Sequence, residues 1–127
     1  MTCNETDGFR TEAAALIARI DARLAVLVPR ALSGQTGLDL AIRESVLAPG
    51  KRLRPMMAAL TAGDLGGDEG VAIDAGCAVE MVHASSLILD DLPCMDDATM
   101  RRGRPAAHVT HGEDVAVLSA IAILSGA

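Results

Sequence analysis

The sequence predicts an all-α fold, and three observations support that prediction. Aromatic residues are nearly absent, with one Phe, no Tyr and no Trp in 127 residues, whereas sandwiches and barrels lean on aromatic and β-branched side chains. The hydrophobic 50% of the chain is therefore Ala, Leu, Ile, Val and Met, mostly good helix formers. Those residues recur at three- and four-residue spacings between Pro and Gly breaks, the signature of amphipathic helices.

Taken in order, Ala13, Leu16, Ile17, Ile20, Leu24, Leu27 and Val28 place a first helix from Phe9 to Leu32, bent or ended near Pro29. Ser33 to Gly37 reads as a loop. A second helix from about Leu38 to Leu47 presents Ala41, Ile42 and Val46, and Ala48 to Gly50 breaks the chain. Pro55 suits the first turn of a third helix, where a missing N–H costs nothing, and Gly66 and Gly67 end it. Asp68 is a natural N-cap for a long fourth helix from Val71 to about Leu92, with Pro93 as its stop. A polar connector covers Asp96 to His108. Thr110 and Glu113 have capping-box spacing for a fifth helix that continues to Ala127. No stretch reads as a strand, and residues 1–127 read as a single partial domain.

The net charge of −6 argues against a nucleic-acid binder or a membrane-surface peptide, both of which need basic surfaces. Without aromatic platforms, base stacking is excluded as well. Cys3, Cys77 and Cys94 are odd in number and form no CxxC pair, which points to a reducing, cytoplasmic setting. The first twenty residues, with Glu5, Asp7 and Glu12, lack the basic and apolar regions of a signal peptide. The most apolar stretch, Val115 to Ala127, is shorter than the roughly twenty residues of a membrane span.

Three clusters stand out from this background. Asp90, Asp91, Asp96 and Asp97 lie within eight residues. The first two fall at the negative end of the fourth helix, where carboxylates are disfavoured. With nothing local to offset them, a divalent cation is the natural remedy. Carboxylate oxygens suit Mg²⁺, which keeps waters and bridges to phosphates. A solvated acidic loop is the alternative, although the apolar run from Ala84 to Leu89 weighs against it. Lys51, Arg52 and Arg54 precede a helix N-terminus, an arrangement that suits an anion such as phosphate, or else a basic turn that balances an acidic protein. Arg101, Arg102 and Arg104 follow the aspartates, ready for a polyanion or for pairing with Asp96 and Asp97. His83, seven residues or roughly 10.5 Å before Asp90, shares its helix face. His108 and His111 have no metal-ligand spacing and read as structural.

In this order the segments GKRLRP (Gly50 to Pro55), AVEMVHASSLILDDLPCMDD (Ala78 to Asp97) and MRRGRPAAH (Met100 to His108) resemble the trans-isoprenyl diphosphate synthases. The similarity extends to the geranylgeranyl diphosphate synthases of bacterial carotenoid pathways. The resemblance spans roughly Leu38 to Ala127. It implies the N-terminal helices of an all-α bundle and a prenyltransferase that joins isopentenyl diphosphate to an allylic diphosphate. By that resemblance, Lys51, Arg54, His83 and Arg102 bind the isopentenyl diphosphate, and Arg101 the allylic one. Asp90 and Asp96 match Mg²⁺ ligands, with Asp91 in support. Ser85 stands where similar farnesyl synthases have an aromatic floor, and the motif has the inserted Pro93-Cys94 form, so a C20 product is implied. Mg²⁺ and arginines would stabilise the departing diphosphate, with no protein base evident. The family's second aspartate-rich motif has no counterpart in this sequence. The chain alone is therefore expected to have little or no activity, and a homodimer is expected of the complete protein. Two other readings compete: a non-catalytic helical subunit, which needs no metal ligands, and a class I terpene cyclase, which needs no Lys51–Arg54 site.

Overall fold

The computed structural model describes residues 3–127, with side chains from Gly8 onward. The side chains of Cys3, Glu5 and Asp7 lie outside the described residues. Six helices and one small hairpin follow in order: α1 Cys3–Leu27, α2 Thr36–Val46, α3 Leu53–Asp64, α4 Glu69–Asp90, β1 Met100–Arg101, β2 Arg104–Pro105, α5 Ala107–His111 and α6 Glu113–Gly126. The all-α expectation is met.

Helix α4 is the axis of the fold, with α1, α2, α3 and α6 all packed on it. It is 22 residues long, and with an 18-residue stretch of mean hydropathy 1.4 it is long and apolar enough to cross a membrane. Its contacts make it the core helix instead. It buries Ile73, Cys77, Met81 and Ile88 against Leu16, Ile20 and Leu24 of α1, Ile42 and Val46 of α2, and Ile123 of α6. Each such aliphatic side chain contributes roughly 1.5–3 kcal/mol when fully buried. Helix α6 approaches through small residues, Ala116, Ser119 and Ala120, all fully buried.

Helices α3 and α4 cross closely. A Cβ on Gly76 would lie 2.5 Å from the Cα of Pro55, so only glycine lets the two backbones meet there. That contact fixes the start of α3, and with it the basic segment. Two ion pairs bind α1 to α4, Arg19 with Glu69 and Arg23 with Asp74. The Arg23 guanidinium holds the Asp74 carboxyl below its usual range through their hydrogen bonds.

Helix α1 ends at Leu27, two residues before Pro29, because a proline disfavours helix at the residue that precedes it. Asp68 caps α4 as expected, its carboxylate accepting from the Val71 N–H at 2.9 Å. Two local expectations are corrected. Thr110 lies inside the short helix α5, and α6 is capped by Gly112 with φ +90° and no side-chain hydrogen bond, so there is no capping box. The connector also contains a strand pair. Met100 faces Pro105 and Arg101 faces Arg104, joined by Arg102 and Gly103, both with positive φ. Two consecutive left-handed residues make the tight turn whose twist matches a hairpin.

Candidate functional site

The end of α2, the turn before α3, the middle of α4 and the hairpin enclose a cavity of about 500 Å³. Its lining includes Arg52, Glu80, His83, Asp91, Arg101 and Arg102. Arg52 of the first cationic cluster meets Arg101, Arg102 and Arg104 of the second here, about fifty residues away in sequence, while Lys51 and Arg54 lie outside the lining. A Cβ on Gly50 would lie 3.0 Å from Arg102 Nη1 and 3.5 Å from Arg52 Nη1, so the glycine gives both guanidiniums their room.

Arg52 is set apart from Lys51 and Arg54, the other two cations of its cluster. Its backbone is left-handed, φ +48°, and its side chain turns inward to 4% exposure. Nε donates to Asp21 Oδ1 at 2.7 Å, Nη2 to the Ala48 carbonyl at 2.9 Å, and Nη1 to Glu80 Oε1 at 3.4 Å. Lys51 and Arg54, on either side, remain exposed. Arg54 still acts on His83. Burial pushes the His83 imidazole below its ordinary value, Arg54 pushes it further, and Arg102 and Arg101 add smaller effects against the opposing charge of Glu80. His83 is therefore neutral at neutral pH, with one N–H to donate and one lone pair to accept.

The acidic side is less assembled. Asp91 is buried, and its carboxylate is held by Arg101, whose Nε lies 3.1 Å from each oxygen while Nη2 also donates. That hydrogen bond raises the Arg101 pKa, with help from the charges of Asp91, Asp90 and Asp96. The expectation that nothing local offsets the aspartates is thus corrected at Asp91. The alternative pairing of the arginines with Asp96 and Asp97 is not found; the partner is Asp91. Residues 92–98 wrap back over the helix end, with the Asp96 N–H on the Asp90 carbonyl at 2.9 Å and the Ala98 N–H on that of Asp91 at 3.2 Å. These bonds satisfy carbonyls that a helix end leaves open. The carboxylates of Asp90 and Asp96 make no hydrogen bond or ion pair among the described residues. No group of three His, Cys, Asp or Glu converges as a metal cluster there. As hard oxygen donors, these two still fit Mg²⁺, which is commonly held by one or two carboxylates together with substrate phosphates.

Ser85 is placed away from the cavity. It is 2% exposed, its hydroxyl donating to the Ala120 carbonyl of α6 at 2.8 Å, so it sits in a helix–helix contact rather than on an open wall. His111 pairs with Glu44 at 2.9 Å, tying α5 to α2. Cys77 is buried, which pushes its thiol up to about 11, and Cys94 is exposed. Sequence reasoning missed Glu80 and the inward turn of Arg52. One signal was available, a glutamate set in the apolar middle of α4 one turn before His83.

Residues 35–127 match the family model described as polyprenyl synthetase. Over 122 residues the chain is 55% identical to a geranylgeranyl diphosphate synthase of Pantoea ananas, covering 93% of this chain and 39% of that protein. Over 110 residues it is 49% identical to a geranylgeranyl diphosphate synthase of Pseudescherichia vulneris, covering 85% and 36%. Its fold is similar to that of a geranyltransferase from Legionella pneumophila, with TM-score 0.87 and 28% identity over 95% of this chain and 42% of that one. An FPP/GFPP synthase from Zymomonas mobilis gives TM-score 0.83 and 34% identity over 93% and 42%. The chain spans about two fifths of the length of these relatives. Sequence motifs, helix order and overlaid fold agree, and the chain belongs to the polyprenyl synthetase family.

Proposed function

We propose that this chain forms the diphosphate-binding half of a short-chain prenyltransferase, which condenses isopentenyl diphosphate with an allylic diphosphate to give geranylgeranyl diphosphate. The observation that supports it is the meeting of two cationic clusters around His83, beside aspartates with no protein partner. In this reading Lys51, Arg54, His83 and Arg102 hold the isopentenyl diphosphate and Arg101 faces the allylic one. Mg²⁺ bound by Asp90 and Asp96, with Asp91 in support, would supply charge stabilisation for the departing diphosphate. Neutral His83 donates one hydrogen bond to a phosphate oxygen. The guanidiniums orient both anions, and the aliphatic face of α4 shields the prenyl tail from water. The C20 product rests on the names of the relatives, since Ser85 lies under α6.

The basic segment favours this reading over a class I terpene cyclase, and the aspartates favour it over a non-catalytic subunit. The cytoplasmic setting and the homodimer belong to the same proposal. For the latter, α6 leaves Leu118, Ile121 and Leu124 exposed in a row. The chain by itself, with one aspartate cluster, is expected to be inactive. The test feeds labelled isopentenyl diphosphate and an allylic diphosphate to a full-length synthase that contains this segment. A labelled C20 alcohol after phosphatase treatment is expected, and no incorporation would overturn the assignment.

A further inference from the structure

Arg52 and Glu80 are the two buried charges of the cavity that the proposed chemistry leaves without a role. Arg52 is 4% exposed and Glu80 5%. Burying a charge is costly unless it is paired and hydrogen-bonded, and Arg52 is fully engaged. It spans Asp21 on α1, the Ala48 carbonyl at the end of α2 and Glu80 on α4. A left-handed backbone at a non-glycine residue costs of order 1 kcal/mol and persists only where its surroundings over-determine it. Here three partners on three elements do so. The reversal at Arg52 sends its side chain inward while Lys51 and Arg54 stay on the surface.

Glu80 is less satisfied. Its Oε1 accepts from Arg52, but Oε2 is buried with no partner, a state that calls for a specific explanation. The carboxylate lies one helical turn before His83 and lines the same cavity as Arg101 and Arg102. Without a ligand, the arginines facing this cavity repel one another. Glu80 is a fixed negative charge among them, placed to hold them together until an anion arrives.

We propose that Arg52 and Glu80 form a positioning pair that fixes the Lys51–Arg54 segment against His83, and so sets the affinity for isopentenyl diphosphate. The pair touches neither reacting carbon, and its effect passes through the residues on either side of Arg52. This rests on the synthase reading above.

The simple alternative makes the opposite prediction. A spectator carboxylate beside an anion site repels diphosphate, so its removal tightens binding. In a full-length synthase that contains this segment, Glu80→Gln keeps the shape and removes the charge. We expect KM for isopentenyl diphosphate to rise about tenfold, with kcat and the KM of the allylic diphosphate within about twofold of the parent. An unchanged or lower KM overturns the proposal. Should Glu80→Gln unfold, the double variant Arg52→Met/Glu80→Met removes both charges and leaves neither stranded. Folding by thermal melting together with a raised KM supports a positioning role. Folding with the parent KM shows a merely structural pair and overturns it. The parent enzyme is assayed first, so a failure to incorporate isopentenyl diphosphate would count against the synthase assignment instead.

Discussion

The two sides of the cavity are built on different principles. On the basic side, the chain assembles its own site. Gly50 admits Arg102, Arg52 turns inward onto three elements, and His83 lies within the field of Arg54. On the acidic side only Asp91 is fixed, by Arg101, while Asp90 and Asp96 have no partner among the described residues. The contrast follows from charge. Cations can be interleaved with buried carboxylates such as Glu80 and Asp91 and kept in place without a ligand. Carboxylates meant for a cation must stay unneutralised until it comes, because an arginine that satisfied them would compete with the metal. On the proposed reading, assembly before binding belongs to the basic side, and assembly on binding to the acidic side.

The largest expected effect tests that division within the aspartate cluster. Asp90→Asn or Asp96→Asn in the full-length enzyme should lower kcat/KM on the order of 10³-fold, the scale for loss of a charge-stabilising group. Asp91→Asn should cost less, about 30-fold, the range for a group that orients a ligand from behind. It should also raise KM for the allylic diphosphate, because Arg101 loses its anchor. Steady-state kinetics at saturating Mg²⁺ distinguish the three. Equal losses at all positions would remove the distinction between Asp91 and its neighbours.

These assignments show how far the sequence reached. The order of the five longer helices was legible from periodicity and breakers because they bury apolar positions at helical spacing, as Leu16, Ile20 and Leu24 do four residues apart, whereas α5, which buries none of its residues, was missed. The Asp68 cap was legible because its partner is three residues away. What failed was long-range or conformational. The hairpin at Met100–Pro105 has two residues per strand, too few for an alternating pattern. The Thr110 cap lost to Gly112, whose φ of +90° turns the chain more sharply than a threonine can. The partner of Arg101 is ten residues away, and the two carboxylate partners of Arg52 are 31 and 28 away, beyond any local rule. The non-glycine residues with left-handed backbones, Arg52, Asp97 and Arg102, each fall in one of the three clusters. Sequence located the clusters but not the turns that aim them.

A smaller effect probes the joint between core and basic side. Gly76→Ala puts a methyl carbon 2.5 Å from Pro55 Cα, where backbone rather than a flexible side chain must move. Overpacking of this kind costs about 2 kcal/mol, read as a lower urea midpoint with an unchanged slope. Because Pro55 follows Arg54, the same variant should weaken isopentenyl diphosphate binding and leave Asp90 and Asp96 unaffected. A stability loss without a KM change would uncouple the α3–α4 crossing from the anion site.

The smallest effect is electrostatic and concerns His83 alone. Its folded pKa is depressed below the ordinary 6.5, first by burial and then by Arg54. Above that value His83 is neutral in both folded and unfolded chains and stability does not depend on it. As pH falls below 6.5 the unfolded chain takes the proton first, so stability declines down to the folded midpoint and then levels. A bound diphosphate reverses the local field and should move the midpoint upward. By linkage, diphosphate binding then takes up a proton in that window and strengthens as pH falls through it, until the ligand itself protonates. A ring-proton NMR titration with and without inorganic diphosphate checks both directions. A midpoint at or above 6.5 in the ligand-free protein would mean that Arg54 and the cavity wall do not act on His83. The basic side would then share the unassembled character of the acidic one.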